Sequence, residues 1–353
     1  LLAMSEIMKN KKIAIVLFNL GGPDSLESVK PFLFNLFFDK YIIRLPAFFR
    51  YFVAWIISSK REKIAKDIYK SIGGKSPIIE ETQKQIDALK KDLKSDLIAD
   101  FEVFMCMRHW HPMSTEIVDK IEKYSPDEII LLPLYPQFST TTTGSSIEDF
   151  TTKLKKKAIK ADLKTICCYP KDDNFIKAHA DLVIKAIDKI KDKGNYRILF
   201  SAHGLPKNIV AEGDPYQWQI ENTVNAVLDE LDYKDIDYKV TYQSKVGPLE
   251  WLDPDTESEI KLAVEQRKEL IIVPIAFVSE HVETLVELDI EYKEMADKYS
   301  INYIRVPALS VHELFINSLK NIIIKASQKE GSFLLSSNMS RICPGDYKNC
   351  PCV

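Results

Sequence analysis

Glu283, Glu287 and Glu291 recur at four-residue intervals within PIAFVSEHVETLVELDIEY (residues 274–292). Wound as a helix, positions four apart share a face, and each like-charge pair there costs roughly 0.2–0.5 kcal/mol. A stripe that carries such a cost suits a cation or a travelling proton beside it. Val282, Leu285, Val286, Leu288 and Ile290 fill the complementary apolar arc, and His281 stands off the acidic stripe beside Leu288. Asp289 falls into that arc and needs a partner if buried. The second group of interest is His203 in SAHGLP, where an apolar run ends and Gly204 and Pro206 oppose helical continuation. An imidazole and a carboxylate supply a nitrogen and an oxygen donor, fit for a divalent first-row metal or for moving protons near neutral pH. Plainer readings stand beside these: a solvated acidic helix face, and a structural histidine.

Cys343, Cys350 and Cys352 crowd into RICPGDYKNCPCV. Three thiols in so short a stretch suit an iron–sulfur cluster or zinc, provided that a fourth ligand comes from elsewhere; Cys106, Cys167 and Cys168 are candidates. A tail of reduced cysteines is the alternative. Gly21-Gly22-Pro23 lacks the spacing of a dinucleotide loop, and Gly73-Gly74-Lys75-Ser76 lacks the upstream glycine of a phosphate-binding loop. His109 and His111, two apart, face the same way only if a strand continues through them, so loop scaffolding is their expected role.

These residues need a scaffold, and its pattern is repetitive. Apolar, β-prone runs at 13–18, 101–107, 128–134, 163–169, 197–201, 238–243, 270–277 and 302–306 alternate with helix-length segments. Strand followed by helix, repeated, predicts parallel sheets with crossover helices. The 353 residues favour two domains, with the break near 170–174. A last helix is expected over 311–327, followed by a polar tail. In open parallel sheets ligands sit beyond the carboxyl ends of strands, which is where His203 and the Glu283 segment fall.

The formal charge of −3 and sequence pI near 6.2 exclude a general nucleic-acid binder. Cysteine placement argues for a reducing compartment. The first twelve residues read as neither signal nor transit peptide. Residues 41–57, YIIRLPAFFRYFVAWII, are too short and too interrupted by Arg44, Pro46 and Arg50 to span a bilayer. With Lys40, Lys60 and Arg61 nearby they fit an interfacial segment, the lip of an apolar pocket or a buried amphipathic helix.

The chain resembles the protoheme ferrochelatase family over residues 13–325. The resemblance rests on FNLGGPDSLESVKPFL (18–33), IGGKSPI (72–78), YPQFSTTTTGSS (135–146), SAHGLP (201–206), GDPY (213–216), YQSKVGPLEWL (242–252) and the 274–292 segment. It implies the α/β chelatase fold: two Rossmann-like domains, each a four-stranded parallel sheet flanked by helices. The expected divisions are 10–170, 171–328 and a cysteine-containing tail at 329–353. The implied activity is insertion of Fe2+ into protoporphyrin IX, releasing two protons and giving protoheme, the last step of heme biosynthesis.

Residue by residue, the resemblance makes His203 the essential histidine and Glu283 the carboxylate facing it across the macrocycle. Glu287 and Glu291 continue the acidic line, all four being expected to handle metal or protons. Leu20, Tyr69, Ser139 and Trp251 match substrate-contacting positions. His109 stands where many relatives have Tyr. Some members hold a [2Fe–2S] cluster on C-terminal cysteines, which implies Cys343, Cys350 and Cys352 here; Ala178 stands where the internal cysteine of the animal enzymes is expected. Peripheral attachment to the inner membrane of a bacterial cytoplasm and a homodimer are further implications. A coproporphyrin III chelatase and a non-catalytic tetrapyrrole carrier are the alternatives, the latter having no use for the acidic ladder.

Overall fold

All eight apolar runs form parallel strands, with helical segments between them. The computed structural model describes residues 11–97, 99–233 and 235–352; the stretch read as lacking a targeting peptide lies almost wholly outside them. The chain divides into two units. The first comprises residues up to Tyr169, Ile316–Ile342 and the end from Pro351; the second comprises Pro170–Phe315 and Cys343–Cys350. The boundary after Tyr169 lies beside the expected break. The division differs from 10–170, 171–328 and 329–353 in giving most of the last helix, Glu313–Gln328, to the first unit and dividing the tail between both.

In the first unit β1 (Lys12–Asn19), β2 (Asp100–Met107), β3 (Glu128–Pro133), β4 (Asp162–Ile166) and β9 (Phe333–Leu335) lie in the order β2-β1-β3-β4-β9. The sheet is therefore five-stranded where four strands were expected. β9 comes from the supposedly polar tail and pairs in parallel with β4 through Lys164↔Phe333 to Ile166↔Leu335. Val16, Phe18, Ile129, Leu131 and Phe150 pack as one buried cluster. Lys164 and Glu128 form an ion pair at 2.7 Å with both side chains only 1 % exposed, and Lys164 Nζ also donates to the Ser327 carbonyl at 3.2 Å.

The second unit repeats the topology: β5 (Tyr196–His203), β6 (Tyr238–Gln243), β7 (Glu269–Pro274) and β8 (Tyr303–Arg305) lie in the order β6-β5-β7-β8. Leu199, Ile260, Leu270, Ile272 and Leu288 form its buried cluster. Helix starts are fixed locally: Asp172 accepts from Phe175 N and Asp255 from Ser258 N, satisfying first-turn amides.

In both sheets the strand order reverses direction beside the first strand. The loops after β1 and β3 leave toward opposite sides, as do those after β5 and β7. Such switch points leave a crevice at the strands' carboxyl ends. His203 closes β5 and Glu283 lies in the segment after β7, so one switch point collects both. Leu20 follows β1 and Ser139 follows β3 at the other.

The helix Ala47–Ser71 is not buried on its aromatic side. Phe48, Phe49, Phe52 and Trp55 are 49–68 % exposed. No helix among the described residues is long and apolar enough to cross a membrane.

Candidate active site

β5 and β6 pair in register up to His203↔Gln243. Beyond it Gly204 N still donates to the Gln243 carbonyl at 2.9 Å, and Pro206 forms an isolated antiparallel bridge with Trp251. A Cβ on Gly204 would lie 2.9 Å from the Gln243 carbonyl oxygen and 3.2 Å from the Trp251 ring, so glycine lets the backbone pass close. His203 Nδ1 lies 2.6 Å from the Gly204 carbonyl oxygen. A carbonyl only accepts, so Nδ1 carries the hydrogen and the neutral ring keeps its lone pair on Nε2. Tyr216 donates from its hydroxyl to the His203 carbonyl at 3.1 Å, fixing the backbone behind the ring.

That Nε2 lies 3.9 Å from Glu283 Oε1. The expectation of two groups on opposite faces of a flat substrate is thereby corrected. A ring stacked between them needs about twice the ~3.5 Å van der Waals contact distance, and both groups belong to the same unit. Imidazole nitrogen and carboxylate form one donor pair. His281, dismissed as lying off the acidic stripe, is buried with Nε2 3.6 Å from Glu283 Oε2. An α-helical projection misplaces it because His281 lies before the start of the helical segment: Glu283–Glu291 is a nine-residue π-helix. Its wider turns bond residue i to i+5, as in the Tyr292 N–H to Glu287 carbonyl bond. The buried face shifts with the winding: Thr284, Val286 and Leu288 are inside, while Val282, Leu285 and Ile290 are only half-buried.

The three glutamates differ in environment. Burial pushes the Glu283 carboxyl up, but His203 and His281 beside it more than offset this and leave it below the usual carboxylate range. Glu287 accepts from Gln243 Nε2 at 2.8 Å and Ser244 Oγ at 2.7 Å. Burial, then the Glu283 charge, raise it to about 7 in spite of those bonds. Glu291 is exposed. Along the segment the three carboxyls thus differ: Glu283 is held low, Glu287 is raised to about 7 and Glu291 is exposed.

Trp251 lies with its ring 6.5 Å from that of His203, and its buried indole Nε1 has no hydrogen-bond partner. Leu20, Tyr69 and Ser139 belong to the first unit. There Ser139 Oγ accepts from Thr141 N and its carbonyl from Gly144 N at 3.0 Å, holding a second π-helical turn, Thr140–Gly144. His109 is buried, with Nε2 3.8 Å from Asp39 Oδ2, and burial followed by the Arg108 charge holds its pKa well down. His111 is exposed and bonds Glu116 at 2.7 Å. The two histidines point to different partners. Asp289 has the partner it needed: Arg305 Nε donates to Oδ1 at 2.7 Å.

Among the described residues, no three His, Cys, Asp or Glu side chains are gathered in a metal-holding group. Cys167 and Cys352 bring their sulfurs to 3.2 Å, and both side chains are sealed from water. Gln219 Nε2 lies 3.2 Å from Cys343 Sγ.

Two parallel sheets with ligand groups at a strand-end switch point define a chelatase fold, and solved structures agree. The chain is similar to SirB from Bacillus subtilis with Fe3+ at a TM-score of 0.55 and 11% identity, covering 90% of this chain and 95% of that one. The same holds for the sirohydrochlorin chelatase SirB from Bacillus subtilis subspecies spizizenii with cobalt, at a TM-score of 0.54 and 8% identity, covering 90% and 96%. At such identities the likeness concerns the fold alone.

Sequence relatives are far closer. Ferrochelatase from Rickettsia bellii is 58% identical over 98% of this chain and 96% of its own length. That from Pelagibacter ubique is 47% identical over 97% and 99%. The ferrochelatase family profile matches residues 12–327. The chain belongs to the ferrochelatase family and is a metal-chelating lyase of heme biosynthesis that inserts Fe2+ into protoporphyrin IX.

Proposed function

We propose that His203 and Glu283 act as one station on one side of the macrocycle, with Glu287 and Glu291 linking it to water. Two pyrrole protons must leave as iron enters. His203 Nε2, with its lone pair fixed by the Gly204 contact, receives a pyrrole proton or offers nitrogen to the incoming ion. Glu283, whose carboxyl falls below the usual range once the imidazoles beside it carry a proton, offers oxygen and stabilises the protonated His203. Two donors hold a cargo ion loosely enough to pass on, whereas a resident metal takes a fuller set. Glu287, raised to about 7, accepts and releases protons at working pH, where general-base efficiency is greatest. The observation that carries this reading is the 3.9 Å separation of Nε2 and Oε1.

Leu20, Tyr69, Ser139 and Trp251 are proposed to contact the porphyrin. Trp251 is the best supported, through its unpartnered donor beside His203. Insertion assays with protoporphyrin and Fe2+ or Zn2+, run anaerobically beside coproporphyrin III, test the reaction. No metalloporphyrin formed would favour the carrier, and preference for coproporphyrin would move the substrate.

A [2Fe–2S] cluster on the C-terminal cysteines is proposed as the resemblance implies it, the Cys167–Cys352 pair of the first unit being the part that the geometry supports. The residues suit it: two sulfurs already meet in a dry environment. Contact with Cys168 and Cys352, with burial added, raises the Cys167 thiol well above its ordinary pKa, so the pair ionises readily only with a cation present. Gln219 supplies a donor to Cys343 sulfur, of the kind that tunes thiolate ligands. The cluster would add redox-active iron held by thiolates. Visible absorption with iron and sulfide analysis of anaerobically purified protein tests this, and a colourless, iron-free sample would remove it. The exposed aromatic side of Ala47–Ser71 supports peripheral attachment to a bilayer, on the cytoplasmic side if the compartment inferred from cysteine usage holds.

A further inference from the structure

A nine-residue π-helix does not hold itself. Its i to i+5 rings are rare, persist mostly as single-turn bulges, and compete with an α-helix that the same residues could form. Something outside Glu283–Glu291 must select the wider winding, and β8 carries it. Arg305 reaches both ends of the segment: its NH1 donates to Glu280 Oε1 at 2.5 Å, before the π-helix, and its Nε to Asp289 Oδ1 at 2.7 Å, within the last turn. NH2 takes the other Asp289 oxygen, completing the two-pronged contact that only a guanidinium offers. Glu280 is itself pinned by Thr284 Oγ1 at 2.6 Å and by the Ala308 amide at 2.9 Å. Two residues along β8, the Tyr303 hydroxyl donates to the Leu288 carbonyl at 2.6 Å.

We propose that Arg305 is a positioning residue for iron insertion: by clamping Glu280 and Asp289 to β8 it keeps Glu283–Glu291 in the π winding that sets Glu283 beside His203 and Glu287 against Gln243 and Ser244. The proposal rests on the roles given above to Glu283 and Glu287. Arg305 touches none of the groups proposed to meet substrate; it fixes the span that carries two of them. Rewinding to an α-helix would rotate Glu287 relative to Glu283, taking it off the Ser244 and Gln243 donors and the carboxylate off His203. A misplacement of about 1 Å at such a site costs on the order of 100-fold in rate.

The test is steady-state chelation by Asp289→Ala, which leaves the Arg305–Glu280 pair in place, and by Arg305→Lys, which keeps the charge but loses the fork. Glu283→Gln and Asp237→Ala are measured in parallel. Asp237 pairs with Arg197 at 2.9 Å in the same unit, away from the π-helix, and reports general destabilisation. The expected result is kcat reduced about 10-fold or more in both clamp variants, with KM for protoporphyrin unchanged, recovery in Asp289→Glu, and normal kcat in Asp237→Ala. Wild-type kcat in a folded clamp variant while Glu283→Gln is inactive would overturn the clamp alone. Equal losses in Asp237→Ala would reduce Arg305 to a stability role. An active Glu283→Gln would overturn the site assignment, and the clamp with it.

Discussion

His203 Nε2 and Glu283 Oε1 lie 3.9 Å apart, contributed by the end of β5 and by the segment that follows β7. Adjacent strands at a topological switch point bring together groups 80 positions apart in the chain, and everything proposed for this site follows from that adjacency.

The Glu287 carboxyl gives the fold a pH dependence. Its folded pKa is raised to about 7 from 4.5, so the folded protein binds this proton more tightly than the unfolded chain does. The associated stability is complete below about 4.5 and lost as pH rises through about 7. At about 1.36 kcal/mol per pKa unit, the loss amounts to up to ~3 kcal/mol. Glu287→Gln should therefore melt higher than wild type at pH 8, with the gap closing toward pH 5. Ser244→Ala removes a bond that lowers this pKa, so the rising limb of kcat against pH should move alkaline. A limb that stays in place would detach Glu287 from the rate.

The lip gives a separate prediction. Phe48→Ala with Trp55→Ala removes two of the most exposed apolar side chains on Ala47–Ser71. Each fully inserted aromatic is worth roughly 1.5–3 kcal/mol of apolar burial. Flotation with anionic liposomes should fall at least tenfold, while turnover in detergent should be kept. Unchanged flotation would mean that this face does not meet lipid.

The Lys164–Glu128 pair should show the cost of a stranded buried charge. Lys164→Met leaves Glu128 with only Lys11, itself partly exposed, at 3.1 Å. A loss of about 3–5 kcal/mol is expected in denaturant unfolding, and Glu128→Leu added to it should recover most of that. Additive losses would show the pair to be net stabilising.

The central strands were legible because burial on both faces leaves nearly unbroken apolar runs, as in β1, β3 and β7. β9 was not, since Phe333–Leu335 is three residues in a polar stretch and is a strand only because β4 offers an open edge. Among the site residues, His203 and Glu283 stood out by type and position. Their relation did not, because carboxylates four apart suit an α- and a π-helix alike, and His281, before the helical segment begins, follows no helical projection. Asp289 announced its need for a partner; only the fold supplies Arg305, 16 residues on. The Cys167–Cys352 contact spans 185 positions, beyond any local pattern.

The measurement that bears most directly on the central claim is anaerobic metal insertion by His203→Ala and Glu283→Gln, with protoporphyrin binding followed by fluorescence. If the two groups form one station, either substitution should lower kcat by on the order of 100-fold or more. The double variant should be little worse than the worse single one, and porphyrin should still bind. Independent, multiplying losses, or near-normal turnover in either single variant, would contradict it.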